Sequence, residues 1–352
     1  MTEKPKIEAV VDVARLSKWL RDSEITDGVI ANLRQLPGGT QNVLLRFHSG
    51  GRDMVLRRPP LKQRPKNNEL ILREATVLAA LRETDIPHAR LIGVCNDPAV
   101  LGSAVFYLMD AVDGFNPAAE LEGSWATPQG CAHLARQATA TLADIGALDH
   151  DRLGLTGFGR PQGFLERQVP RWVRELESYR DTPGFEAEPL PGYTVVRDHL
   201  AAHVPTTFRP GLMHGDYHFG NLLFGRSDGV LAAVLDWEMS TVGDPLLDFG
   251  RYLAMWPDGD DVIIQGDGVW KGTALPSPAD LVEIYAASSG LPMDHLTWYV
   301  AMGCFKLGVI LDGTYARSCA GLVPAPIGLA LHETAVRLFR RATRLVENHR
   351  GK

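Results

Sequence analysis

Between residues 10 and 20 the chain reads VVDVARLSKWL, with apolar side chains at Val10, Val13, Leu16 and Leu20. That three-and-four spacing predicts one amphipathic helix. After the break at Pro37-Gly38-Gly39 come two strand-like runs, NVLLRFHS and DMVLRR, joined by Gly50-Gly51, which together predict a hairpin. NNELILREATVLAALRE (67–83) has helical periodicity, and AVFYLMD (104–110) reads as a buried strand. From about residue 117 the pattern changes. QGCAHLARQATATLADIGAL, PQGFLERQVPRWVRELESY and TVVRDHLAAHV are helical, and only 222–235 reads as clear β. Strands with one helix first and a helical majority second predict an α+β, bilobal chain. Its small N-terminal antiparallel-sheet lobe would be 1–110 and its larger, mainly helical C-terminal lobe 111–352, with the hinge at DAVDGFNP, 110–117.

Composition narrows the class. At 352 residues the chain is long for one core, and its 45% hydrophobic and 22% charged residues are ordinary for a soluble globular protein. A formal charge of -6 argues against broad nucleic-acid binding. The four cysteines show no metal-ligand spacing, which fits a reducing cytoplasm. MTEKPKIEAV lacks the apolar centre of a signal peptide. No apolar run is long enough to span a membrane; the best stretch, YVAMGCFKLGVILDG, is broken by Lys306 and several glycines.

The chemistry concentrates in LMHGDYHFGNLLF (212–224), where Asp216 and Asn221 sit five residues apart at the entrance to a strand. A preferred two-residue turn at Asp228-Gly229 would make hairpin partners sum to 457, setting Asn221 opposite Asp236. Two carboxylates and an amide oxygen are hard ligands of the kind magnesium accepts beside phosphates. Upstream, Arg57 ends an apolar strand, and Glu74 falls on the apolar stripe formed by Leu70, Val77, Leu78 and Leu81. A carboxylate on an inward face needs a cation, and Arg57 is the natural one. LPGGTQNVLLRF offers Gly38, Gly39, Thr40 and Asn42 as a loop able to approach phosphate through backbone N–H groups. His199 and His203 in HLAAH lack the glutamate of a zinc helix and read as surface or boundary residues. His214, Asp216 and His218 as a metal triad would leave Asn221 and Asp236 idle, and the basic run RRPPLKQRPK reads as a solvated loop.

The order HGDxxxxN, then Asp236 fifteen residues after Asn221, resembles the catalytic loop and metal aspartate of protein kinases. The variants His214-Gly215-Asp216 and Asp236-Trp237-Glu238 resemble the aminoglycoside phosphotransferase and choline kinase family. LDWEMSTVGDPLLDFGRYLAMW (235–256), GFLERQVPRW and FKLGVILDGTYARS look like the branch of such domains fused to acyl-CoA dehydrogenases. The resemblance implies a protein-kinase-like fold and an ATP- and Mg2+-dependent transfer to a small-molecule hydroxyl acceptor. Asp216 would be the catalytic base, and Asn221 and Asp236 the metal ligands. Arg57, where kinases usually place lysine, would be held by Glu74, and the Met109–Val112 backbone would bind adenine. Asp248 would accept bonds from the catalytic-loop backbone, and Asp244 would cap a helix. A hydroxyacyl-CoA-like metabolite leads as acceptor, with an aminoglycoside and a catalytically silent nucleotide-binding regulator as the alternatives. Lys306 and Arg317 would either meet an anionic acceptor or lie at the surface, and the sequence sets no oligomeric state.

Overall fold

The computed structural model describes residues 7–36, 42–62, 66–121, 123–186, 190–257 and 275–350. Its first segment holds α1 (Ile7–Val10), α2 (Val13–Asp22), β1 (Ala31–Gln35), β2 (Val43–Ser49), β3 (Arg52–Arg58), α3 (Asn67–Leu81), β4 (Leu91–Cys95), α4 (Pro98–Leu101) and β5 (Phe106–Asp110). Next come α5 (Pro128–Ala147), α6 (Gln168–Ser178), α7 (Tyr193–Ala202) and β6 (Gly211–Met213). The hairpin β7 (Leu222–Phe224) and β8 (Leu231–Val234) leads to β9 (Thr241–Gly243). The chain ends with α8 (Leu246–Ala254), α9 (Pro278–Ser289), α10 (Leu296–Cys319) and α11 (Ala325–Arg350). Two compact units result. One comprises Met1–Phe115, Leu222–Arg226 and Leu231–Ser240; the other comprises Asn116–Asn221, Ser227–Val230 and Thr241–Lys352. An antiparallel sheet first and a mainly helical region after it is the α+β class that the sequence pattern predicts.

The first unit is built on a five-stranded antiparallel sheet of order β1-β2-β3-β5-β4. Gly50 and Gly51, at φ 55 and 77, supply the two left-handed positions of the β2–β3 turn. Leu45, Phe47, Met54, Leu56, Phe106 and Leu108 line one buried face, and Leu16 and Leu20 of α2 pack into the same cluster. Each fully buried side chain of this kind stabilises by about 1.5–3 kcal/mol. The predicted helix from Val10 starts later, at Val13, because the Asp12 carboxylate accepts the Arg15 amide at 3.1 Å and caps it there. Along α3, Ile71 rather than Leu70 joins Glu74, Val77, Leu78 and Leu81 in the interior. β1 and β4 carry no clean alternation, being half-exposed along most of their length, so periodicity does not reveal them.

The β7–β8 ladder corrects the expected register. Leu222 pairs with Val234, one residue short of the predicted partner, and the pairing shifts again between Leu223 and Phe224. The physical reason lies in the turn, since a two-residue turn of the preferred kind needs φ > 0 at both central positions. Here only Gly229, at φ 62, meets that requirement, and the connection runs over 225–230. Neither Asn221 nor Asp236 is a strand residue. Asn221 ends a 3-10 turn (Phe219–Asn221), and Asp236 opens another (Trp237–Met239). The hairpin is tied into the first unit by backbone bonds of Phe224 with Phe115 at 2.9 Å and of Val234 with Pro87 at 2.8 Å.

In the second unit α5 starts at Pro128, with Thr127 capping the Gly130 amide at 3.1 Å. Helix α6 begins at Gln168, seven residues later than the pattern from 161 suggests. Pro161 and the left-handed Gly163 (φ 61) hold the preceding stretch in turns. A short sheet of β6 and β9, invisible to periodicity, pairs Gly211–Met213 with Thr241–Gly243. Helices α8 and α10 approach at glycines. A Cβ on Gly250 would lie 2.3 Å from the Tyr299 carbonyl oxygen, and one on Gly303 would lie 2.7 Å from that of Gly250. This close packing carries Arg251 and Lys306 toward the loop that bears Asp216. Among the described residues, α10 alone has the length and hydropathy of a membrane span, and 78% of that stretch is buried in the protein.

Candidate active site

The HGD loop follows β6 and is held by one carboxylate. Asp248, 2% exposed near the start of α8, accepts the His214 amide at 2.6 Å and the Gly215 amide at 3.0 Å. Gly215 sits at φ 84, a conformation that lets both amides face the same acceptor. The Asp216 side chain is thereby presented to three groups. Arg251 donates to Oδ1 through Nη2 and to the Tyr217 carbonyl through Nη1 at 3.0 Å. His218 Nε2 lies 3.5 Å from Oδ2. The Asn221 amide nitrogen donates to the Asp216 carbonyl at 3.0 Å and approaches Oδ2 at 3.5 Å. Burial opposes ionisation of Asp216, but His218 and the Arg251 charge outweigh it and hold the carboxyl well below its usual range. Lys306 donates to the Gly215 carbonyl at 3.2 Å, and burial, aided by Arg251, lowers its pKa to about 8.

Two partners of this carboxylate, Arg251 and His218, line a cavity of about 230 Å³. Its wall is mostly apolar and aromatic, formed by Tyr217, Phe219, Tyr252 and Trp256, with Arg251 and His218 as polar members. The aromatic rings support one another: Tyr217 and Tyr252 meet edge-on at 6.0 Å, and Tyr252 and Trp256 are 5.4 Å apart. The Tyr217 hydroxyl donates to the Ala138 carbonyl at 2.7 Å, which anchors the wall to α5.

The first unit gathers the opposite balance of charge. Arg57, buried on β3, lies 2.8 Å from Glu74 Oε2 through Nε, an ion pair that lacks the alignment of a hydrogen bond. Its Nη2 donates to Asp236 Oδ1 at 2.6 Å and to Glu238 Oε2 at 3.1 Å. One guanidinium thus faces three carboxylates. Burial pushes the Glu74 carboxyl up to about 7, with Arg57 pulling it back. Burial and the neighbouring Asp236 also raise Glu238. For Arg57 burial works against the charge, yet Glu74, Tyr107 and Asp236 leave it more basic than an ordinary arginine. Glu74 also accepts the Trp237 amide at 3.0 Å, so α3 holds the residue after Asp236 in place. Asp236 itself has φ 64, a left-handed position that few non-glycine residues take and that aspartate tolerates better than most.

Of the residues expected from sequence, Arg57, Glu74 and Asp236 meet in one cluster, and Asp216 and Asn221 in another. Asn42 joins the first by donating to Glu238 at 2.9 Å. Met109 pairs with Val55 within β5, and Val112 lies in the coil beyond, where the Ala111 amide donates to the Asp53 carbonyl at 2.9 Å. Gly38, Gly39 and Thr40 lie outside the described residues. Asp244 lies one residue before the cap position, which Pro245 takes, rather than at it; its carboxylate accepts the Leu246 amide at 3.0 Å, and its second oxygen takes the Tyr299 hydroxyl at 2.6 Å.

Two expectations fail. His199 is no surface residue, being 2% exposed and stacked on His203 at 4.2 Å. Arg57 and Arg58 are both buried, so the basic run they open is not simply a solvated loop. Sequence reasoning passed over Glu238 and Arg251 as partners. Glu238 had a signal, two residues from Asp236. Arg251, thirty-five residues from Asp216, had none.

Chicken acyl-CoA dehydrogenase family member 11 is 32% identical over 82% of this chain. That match takes in only 37% of the chicken protein, so the chain spans well under half the length of such relatives. Among solved structures, a candidate aminoglycoside phosphotransferase from Ralstonia eutropha superposes with a TM-score of 0.79 at 24% identity, covering 96% of this chain and 99% of that one. The aminoglycoside phosphotransferase APH(4)-Ia, crystallised as a variant with AMP-PNP and hygromycin B, gives 0.62 at 17% identity over 94% and 98%. At these identities the likeness concerns the fold. The family model described as phosphotransferase enzyme family (APH) matches residues 32–280, most of the chain including both charge clusters, and the protein therefore belongs to the phosphotransferase enzyme family.

Proposed function

We propose that this protein transfers the γ-phosphoryl group of ATP to a hydroxyl of a small molecule whose body is apolar, a hydroxyacyl-CoA-like metabolite being the leading class. One observation carries the reading: the Asp216 carboxylate of HGDxxxxN is held ionised by Arg251 and His218 at the edge of an aromatic cavity.

Asp216 orients the acceptor hydroxyl and takes up its proton. A carboxylate held this acidic stores a proton poorly, so it acts as the hydroxyl's charge develops late in a loose transition state. Arg57, fixed by Glu74, neutralises charge on the phosphates, and the Met109–Val112 backbone and the loop of Gly38, Gly39, Thr40 and Asn42 bind the nucleotide. Asn221 and Asp236 would hold magnesium, which when bound supplies charge neutralisation to the phosphates. The donor chemistry fits that ion. The Asn221 nitrogen is committed to Asp216, leaving its oxygen for a ligand, and three carboxylates around one guanidinium carry the negative excess that a divalent cation relieves.

The apolar wall and its arginine favour a neutral or anionic acceptor over a polycationic aminoglycoside. Relatives named as acyl-CoA dehydrogenases support the same direction. The test is Mg2+-dependent ADP release with a panel of hydroxyacyl-CoAs and with hygromycin B and other aminoglycosides. Turnover is expected with the thioesters only. Turnover with an aminoglycoside alone would reassign the acceptor, and tight ATP binding with no turnover at all would favour a nucleotide-binding regulator.

A further inference from the structure

We infer that His218 is a positioning residue for the transfer, its Nε2–H setting the orientation of the Asp216 carboxylate and of the acceptor hydroxyl at the mouth of the aromatic cavity. The inference rests on the transfer reading above and extends it to a residue outside the motif positions.

The ring's other nitrogen fixes the tautomer. The Gly220 amide donates to His218 Nδ1 at 3.0 Å. A ring nitrogen that accepts an N–H carries no proton, so the neutral imidazole holds its proton on Nε2. That nitrogen is 3.5 Å from Asp216 Oδ2. The Asn221 side-chain nitrogen, 3.4 Å away, is itself a donor and serves the Asp216 carbonyl at 3.0 Å, so the shorter Gly220 contact decides the tautomer. The turn that carries the ring is held as well, since the Asn221 backbone N–H donates to the His218 carbonyl at 2.8 Å, and the Asn116 side chain donates to the Gly220 carbonyl at 2.7 Å.

Next comes the accounting at Asp216. Arg251 occupies Oδ1, so the oxygen left for an acceptor hydroxyl is Oδ2, the one His218 faces. At 3.5 Å the Nε2–Oδ2 separation is too long for a good hydrogen bond, and contacts of this kind tighten when substrate is bound. The His218 side chain is 42% exposed, and it lines the cavity with Tyr217, Phe219, Tyr252 and Trp256. An acceptor held against those rings lies beside the imidazole whose Nε2 faces Oδ2.

The competing account is local: His218 serves only to cap the Gly220 amide and hold the turn. Two substitutions separate these. His218→Asn keeps an acceptor near the Nδ1 position and loses the distal donor, whereas His218→Gln places an amide donor near the Nε2 position and loses the cap. Turnover of each variant would be measured with MgATP and the best acceptor of a short- to medium-chain hydroxyacyl-CoA panel.

For a positioning role, His218→Asn loses about 10- to 100-fold in kcat at unchanged KM for ATP, and His218→Gln recovers most of that loss. The reverse order, or equal loss with a raised KM for ATP, would overturn the role. The tautomer is tested without turnover, by long-range 1H–15N spectra of histidine-labelled wild-type protein with His218→Gln as the assignment control. A signal for Nε2–H is expected, and Nδ1–H would refute the geometry on which the inference stands. Wild-type protein that turns over no acceptor, with the Nε2–H signal present, would remove the transfer reading and the role with it while leaving the tautomer in place.

Discussion

The two charge clusters of this protein are near inverses. In the first unit one cation, Arg57, serves three carboxylates, and the carboxyls of Glu74 and Glu238 are pushed upward. In the second unit one carboxylate, Asp216, lies among Arg251, His218 and Lys306, and its carboxyl is pushed downward. Burial acts the same way on all three acids, disfavouring the charge. The direction of the net shift is decided by the partners: the His218 hydrogen bond and the Arg251 charge lower Asp216, whereas Glu74 and Glu238 share one guanidinium with Asp236. A negative excess calls for a further cation; a positive excess keeps one carboxylate ionised whatever the pH of ordinary use.

The comparison can be broken most severely at the single carboxylate. Asp216→Asn is expected to lower kcat by about 10³- to 10⁴-fold, or roughly 4–5.5 kcal/mol, while leaving the affinity for AMP-PNP within about twofold. Steady-state kinetics and a nucleotide titration would check both halves, and wild-type turnover would remove Asp216 from the chemistry. At the single cation, Arg57→Met strands three carboxylates and should destabilise the fold by about 3–5 kcal/mol in a urea titration. Arg57→Lys should cost less, since it keeps the charge and loses only the guanidinium breadth that spans three carboxylates.

Smaller effects sharpen the picture. Asp248→Ala removes the acceptor of two loop amides and should cost about 1.5–3 kcal/mol in urea stability, with kcat falling more than KM rises. Asp248→Asn, which keeps one oxygen, should be milder. Lys306 offers a pH signature. With its pKa lowered to about 8 against the ordinary 10.5, the folded chain has shed a proton in this window that the unfolded chain still holds. Unfolding then takes up a proton, so this contribution to stability rises with pH between the two values. The stability gap between wild type and Lys306→Met should therefore move in favour of the wild type across that window, as read by denaturation at either end. A gap that stays flat would mean that the Lys306 ammonium is not desolvated.

Local pattern was enough for much of the fold. The β2–β3 hairpin follows from two apolar runs and a Gly-Gly pair, and α3, with Glu74 on its inward face, follows from periodicity. The HGDxxxxN spacing places Asp216 and Asn221 on one loop because five residues of tight turn leave little freedom. Where the pattern misled, the cause is identifiable: Asp228-Gly229 looks like a two-residue turn, but only Gly229 takes a left-handed conformation. β1, β4, β6 and β9 are too short or too mixed in polarity to leave a period.

Sequence alone therefore determined the class of the fold, the α+β order of its parts, and the loop carrying the Asp216 carboxylate, because each depends on residues a few positions apart. Tertiary structure decided which charges surround them. Arg251 reaches Asp216 across thirty-five positions and Lys306 reaches Gly215 across ninety-one, through helices that come closest together where Gly250 and Gly303 leave no room for a side chain. No spacing rule encodes such contacts, since side chains distant along the chain become neighbours only when packing brings their helices together.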